Sequence, residues 1–227
     1  VRVSNFFVFF ASNFILLLFH GYVCCCLFEE VREVERPRRR IAAGYGIAFL
    51  GMYHAMTENY LIAILGALGG DSSHVGTALF ISAMVGAPVI FCFSKIRTLA
   101  RDTTILKISA LSFLLKAVCF CFAGSISTIY ILQLLQITSY ALLAPAQVYY
   151  AQARVGQSDM VKGQAFITAA YALGCSGGNF AGGQLLGINV RALLLAGVAM
   201  ALAGTCIFFA TVNRPEVRVK AGTAQEL

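Results

Sequence analysis

Residues Glu29 to Arg40 read EEVREVERPRRR, with arginines at 32, 36, 38, 39 and 40, between two long apolar runs at 4–28 and 41–68. A charged stretch in that setting reads as a loop between two membrane helices. The remaining basic residues follow the same plan. Lys95, Arg97, Arg101 and Lys107 form a second group, Arg154 and Lys162 a third, and Arg214, Arg218 and Lys220 a fourth; with the first, they account for fourteen of the 17 Lys and Arg residues. The intervening gaps at 69–74, 124–128 and 186–190 carry no Lys or Arg. Moving cations through a bilayer is costly, so Lys- and Arg-rich loops stay on the cytoplasmic side. The alternation predicts a multi-pass membrane protein with its N-terminus outside and its C-terminus in the cytoplasm.

Composition agrees with this reading. Hydrophobic residues make up 59% and charged residues 12%, against roughly 25% charged in an average soluble domain. The mean hydropathy of +0.80 leaves too few polar side chains to cover a water-facing globule. The net charge of +7 is spread over cytoplasmic loops, where it meets anionic lipid headgroups rather than nucleic acid.

A helix needs about 20 residues to cross ~30 Å of hydrocarbon. Seven runs satisfy that length: 4–28, 41–68, 75–96, 105–124, 128–153, 161–187 and 190–212. Run length predicts an all-α bundle rather than a barrel, whose strands are ~10 residues long with alternating polarity. Run 4–28 is too long for a signal peptide, and its basic flank follows it. The chain does not begin with Met, so the expectation is a piece of something longer. Residues 213–227 read as a cytoplasmic tail.

Helix breakers fall inside runs where neighbouring helices accommodate them: Pro88 in the third and Pro145 in the fifth. In the sixth, Gly174, Gly178 and Gly182 recur every four residues, a ridge that admits close approach of another helix. Cys92, Cys119, Cys121, Cys175 and Cys206 lie within apolar runs as small fillers; Cys24, Cys25 and Cys26 are read as packing residues with acylation as the alternative.

Ionisable groups inside hydrocarbon need a partner or a role. Glu58 lies near the middle of the second run, within YHAMTENY, and Lys116 near the middle of the fourth, within SFLLKAVCF. His54 stands one turn before Glu58 on the same helix face, and Asn59 is adjacent. The functional expectation is that Glu58 carries a coupling proton or binds a polar solute group, with His54 and Lys116 as partners. The alternative is a static Glu58–Lys116 pair joining two helices. Gln133, Gln136, Tyr140 and Gln147 form a polar stripe on the fifth run, and Gln164, Thr168, Tyr171, Cys175 and Asn179 one on the sixth. Of these, Gln136, Tyr140, Tyr171 and Cys175 lie near mid-depth as candidate cavity-lining residues, which Thr57 and Asn59 could join; the outer members read as interhelical hydrogen-bonding groups.

HEXXH, GxSxG, a phosphate-binding glycine loop and paired carboxylates are missing from the sequence, so no enzyme is expected. His20, His54 and His74 stand on separate elements, and neither a metal nor a cofactor is expected.

Six runs preceded by one run and a basic linker resemble the C-terminal half of a major facilitator superfamily transporter. The segments carrying the resemblance are GTALFISAMVGAPVIFCFSKI (76–96), the basic loop from Ser94 to Asp102, LLQITSYALLAPAQVYYAQARV (134–155), DMVKGQAF (159–166) and ALGCSGGNFAGGQLLG (172–187). They are similar to the oligosaccharide/proton symporters of the lactose permease type. The resemblance implies that 1–28 is helix six, 29–40 the end of the central loop and 41–212 helices seven to twelve. It also implies alternating access around a mid-membrane site formed with an N-terminal six-helix bundle on the same or a separate chain, a small polar solute, protons, and a bacterial inner membrane.

The chain departs from that pattern in three places. Val85-Gly86-Ala87 stands where relatives place an acidic residue before the proline, helix ten carries no His–Glu pair, and there is no Trp for sugar stacking. Two other readings remain. A non-transporting half-transporter accounts for the missing first bundle. A seven-helix receptor or retinal protein shares the topology, but 190–212 carries no Schiff-base lysine, and the inner end of the third run, Phe93-Ser94-Lys95, lacks the expected charged triplet.

Overall fold

The computed structural model describes residues 37–153 and 160–212. Run 4–28, most of the basic stretch 29–40, Arg154 and the tail 213–227 lie outside the described residues. The described residues form helices α1 (Pro37–Glu58), α2 (Leu61–Gly66), α3 (Ser72–Phe91), α4 (Phe93–Leu99), α5 (Asp102–Cys121), α6 (Ile126–Gln133), a 3-10 turn (Leu134–Ile137), α7 (Tyr140–Gln152), α8 (Met160–Leu186) and α9 (Val190–Thr211). No strand occurs among them.

Ser72–Phe91, Asp102–Cys121, Ile126–Gln152 and Val190–Thr211 are long and apolar enough to cross a membrane. They mark the chain as an integral membrane protein. The two other long helices, α1 and α8, are less apolar, and they pack on each other more extensively than any other pair. The glycines Gly51 of α1 and Gly174 and Gly178 of α8 lie at that contact.

Local chemistry sets the helix ends. Gly69 has φ 81°, a left-handed conformation that costs a glycine little. Asp71 then caps α3, its carboxylate accepting from the backbone N–H groups of Ser73 and His74. Ser125 caps α6 through the Thr128 N–H, and Asn189 caps α9 through the Ala192 N–H. Asp102 opens α5, where a carboxylate complements the helix dipole, and takes a two-pronged bond from Arg97 (2.8 and 3.0 Å). Helix α1 begins at Pro37, inside the stretch read as linker; proline is favoured there because its missing N–H would have no helical partner.

Three runs read as continuous are interrupted; the third run, 75–96, turns at Cys92 between α3 and α4. The second breaks at Asn59–Tyr60, between α1 and α2. The fifth breaks over residues 134–139, although its proline, Pro145, lies inside α7. Irregular backbone at membrane depth survives only where its polar groups are bonded internally. Here the Ser139 hydroxyl donates to the Leu135 carbonyl (2.8 Å), and the Ser109 hydroxyl of α5 donates to the Ser139 carbonyl (2.7 Å).

Helices α1, α8, α7, α5 and α9 contact one another in that order, and α9 returns to α1, closing a ring; α3 packs outside it on α6, the 3-10 turn and α7. The glycine ridge of α8 meets α1. A side chain at Gly174 or Gly178 would collide with the carbonyls of Ala48 and Met52, and one at Gly51 would stand 2.8 Å from the Tyr171 carbonyl. The missing side chains therefore set the α1–α8 separation. Two apolar clusters fill the bundle. One holds Ile47, Leu50, Tyr53, Phe113, Leu143 and Phe208; the other holds Met56, Leu61, Leu65, Phe120, Ile129 and Leu193. Between them in sequence position on α5 and α6 stand Lys116 and Gln133, and with Glu58 and Gln136 they form a polar layer.

A charged layer at the centre of the bundle

Lys116 is 1% exposed, yet it carries an ammonium. Its Nζ donates to Glu58 Oε1 at 2.8 Å and to Gln136 Oε1 at 3.0 Å, and it stands 5.7 Å from the centre of the Phe120 ring. The three partners come from different places: Glu58 from the last turn of α1, Gln136 from the 3-10 turn, and Phe120 from one turn further along α5. A buried ammonium is tolerable only when paired and hydrogen-bonded, and this set supplies both. Glu58 itself is 13% exposed, so one side of the pair reaches the edge of the bundle.

His54 does not bond to Glu58. Its ring stacks on Tyr140 (4.7 Å between centres, planes 5° apart) and meets Phe113 edge-on at 5.9 Å. Tyr171 of α8 completes the group, 6.4 Å from His54 and 6.0 Å from Tyr140. His54, Glu58, Tyr140 and Tyr171 are each only partly covered. A carboxylate and an aromatic group thus share one partly open region, with the lysine enclosed behind them.

The polar stripes divide. Gln136 joins Lys116, while Gln133 is fully buried against the Glu58 carboxylate without meeting full hydrogen-bond geometry. Gln147 is also buried, its Oε1 without a hydrogen-bond partner. On α8, Gln164 and Thr168 are exposed and take no part in the site, whereas the Cys175 thiol approaches the Gly51 carbonyl at 3.5 Å. The Asn59 amide turns away from Glu58 and donates to Asn179 Oδ1 at 2.7 Å, while the Tyr60 hydroxyl donates to the Asn179 carbonyl. These two bonds tie the α1–α2 break to α8. Thr57 is buried and bonds to the Tyr53 carbonyl of its own helix.

Sequence reading passed over Phe113, Phe120, Ser109 and Ser139. The two phenylalanines sit three residues before and four after Lys116, so helical spacing from the lysine was a usable signal. Nothing in the sequence pairs Ser109 with Ser139. Outside the spans, the exposed Asp71 carboxylate is held below the ordinary range by bonds from the Ser73 hydroxyl and then the His74 ring. No group of three His, Cys, Asp or Glu side chains close enough to hold a metal occurs among the described residues.

No protein-family model, curated protein or solved structure matches this chain.

Proposed function

We propose that the chain is the second half of a secondary transporter of the major facilitator type, moving a small polar solute by alternating access with a proton as the coupling ion. In this reading it lies in a bacterial inner membrane with its C-terminus in the cytoplasm, completed by a six-helix bundle. The observation that carries it is the enclosed Lys116 ammonium bonded to a Glu58 that is itself partly open, beside the partly covered rings of His54, Tyr140 and Tyr171. Lipid tails against a carboxylate and three polar rings would be costly. Water, solute or a second bundle satisfies that surface. The resemblance of 76–96, 134–155 and 172–187 to the lactose permease type supports the same reading.

The test is transport by the native protein, extracted from its own membrane and reconstituted in vesicles. Labelled sugars, amino acids and organic acids are supplied under an inward proton gradient. Accumulation of one of them, abolished by a protonophore, is expected. Glu58→Gln should lose accumulation while exchange of the same solute persists, because only the uphill step needs the proton. Equal loss of both would remove the coupling role from Glu58.

A second reading has its own observation: Lys116 is so completely enclosed that the pair resembles a fixed cross-link between α1 and α5. A stable, inactive native protein that moves none of these solutes would select it.

A further inference from the structure

The charge balance around Lys116 points to the class of solute, an inference that rests on the transporter reading above. The groups facing Glu58 are Tyr53 and His54 on its own helix, Lys116 from α5, Gln133 from α6 and Tyr171 from α8, with Gln136 of the 3-10 turn on Lys116 and Tyr140 of α7 on the His54 ring. Lys116 is the lone fixed cation among them, and Glu58 the lone carboxylate. In the resting arrangement they neutralise each other at 2.8 Å.

A proton arriving on Glu58 ends that balance. The carboxyl becomes neutral, and the Lys116 ammonium keeps only two uncharged partners, the amide oxygen of Gln136 and the Phe120 ring. A buried cation left without a counter-charge is strongly destabilising, so the protonated state calls for an anion in the place Glu58 held. An uncharged polyol cannot supply one. Geometry agrees, because Glu58 is the partly open member and Lys116 lies behind it. Displacing the carboxyl exposes the ammonium to the same region that the His54, Tyr140 and Tyr171 rings border.

We propose that the solute is a small monoanion, most simply a carboxylate, which replaces Glu58 on the Lys116 ammonium when Glu58 takes up a proton. The step is an exchange of partners. A proton from water binds a Glu58 oxygen, the Nζ–H···Oε1 bond opens, and a Lys116 N–H donates to an oxygen of the solute instead. The site then has no net charge when empty (Glu58 ionised, Lys116 charged) and none when loaded (Glu58 protonated, Lys116 charged, solute negative). One anion travels with one proton, and no net charge crosses the membrane.

The experiment uses the detergent-solubilised native protein in weakly buffered solution. Lactate, gluconate and glucuronate are each compared with an uncharged counterpart: lactamide, sorbitol and glucose. Thermal protection and proton uptake are read together. At least one anion should protect while its counterpart does not, with about one proton taken up per anion bound. Apparent affinity should fall about tenfold per pH unit above the titration of the site. Glu58→Gln should keep the protection but lose proton uptake and pH dependence, and Lys116→Gln should lose protection.

In vesicles, uptake of the protecting anion should follow an imposed pH gradient and ignore a potassium diffusion potential. Protection by an uncharged counterpart, protection without proton uptake, or no protection by any of the three anions overturns the proposal. None of the wild-type readouts depends on a variant folding. Proton-driven uptake of a neutral solute would overturn the anion inference yet leave the transporter reading standing, whereas no proton-driven uptake of any solute removes both.

Discussion

The Lys116 ammonium and the Glu58 carboxylate, 58 positions apart in the chain, meet at 2.8 Å where α5 faces the end of α1. One partner is enclosed and the other touches the edge of the bundle. That asymmetry governs what each substitution does. Removing Glu58 strands a cation in an apolar interior, whereas removing Lys116 leaves a carboxylate that can turn outward or take a proton.

Glu58→Ala should therefore destabilise the bundle by about 3–5 kcal/mol, the usual cost of stranding a buried charge, and Lys116→Ala by less. The double variant should recover about 1–3 kcal/mol of the summed loss. The check is a double-mutant cycle on unfolding midpoints in detergent; strictly additive losses would show that the two side chains do not sense each other.

Gly178→Ala should destabilise by ~3 kcal/mol or more, because the new methyl meets the Met52 backbone rather than a flexible side-chain tip. Gly177→Ala, one residue away, meets only the Met52 side chain at 3.6 Å and should cost little. Gly76→Ala faces open space in the second turn of α3 and should be neutral or stabilising by about 0.5–1 kcal/mol. Thermal stability of the three variants side by side tests the α1–α8 contact, and equal effects at 177 and 178 would contradict it.

Ser109→Ala should cost about 1 kcal/mol, since the Ser139 carbonyl loses the hydroxyl that bonds it from α5. Hydrogen exchange should rise locally across residues 134–143. A uniform rise over the whole bundle would instead mean that the interrupted helix unfolds only with everything else.

Asp71→Ala should loosen the first turn of α3, with faster amide exchange at Ser73 and His74. The sign with pH follows from the bonds to the Asp71 carboxylate. Its folded titration lies below the ordinary 3.8, so the cap is fully present above that pH and is lost as pH falls through the depressed folded value. The wild-type and Asp71→Ala proteins should differ at neutral pH and converge in strong acid. A difference unchanged down to strong acid would place the effect elsewhere.

Much of the architecture is legible in the sequence alone. Apolar runs of about 20 residues give helices because a bilayer offers no partner for an unpaired backbone amide. Asp71, Asn189 and Ser125, which sequence reading passed over, cap helix starts because the first amides of a helix need the same pairing. The helix interruptions are not legible there, since each run reads as one continuous helix. Pro145 reads as a bend within the fifth run, whereas the break lies over 134–139, where the Ser109 hydroxyl of another helix bonds the Ser139 carbonyl. The candidate site was legible as a list of residue types and not as an arrangement. Glu58, Lys116, Gln136, His54, Tyr140 and Tyr171 do gather, while Asn59 turns to Asn179, and Gln164 and Thr168 stay exposed.

By itself the sequence determined that this is a helical membrane protein and which helices carry charge at depth. Those properties follow from transfer free energies of single side chains and the length of single segments, and both are local. Which charges meet was decided only by tertiary structure. The α8 glycines bring the backbone of α1 into contact, and α9 bridges α1 to α5, so that Glu58 arrives beside Lys116. Pairing across helices is set by the distance between segments remote in the chain, and no periodicity along one helix encodes that distance.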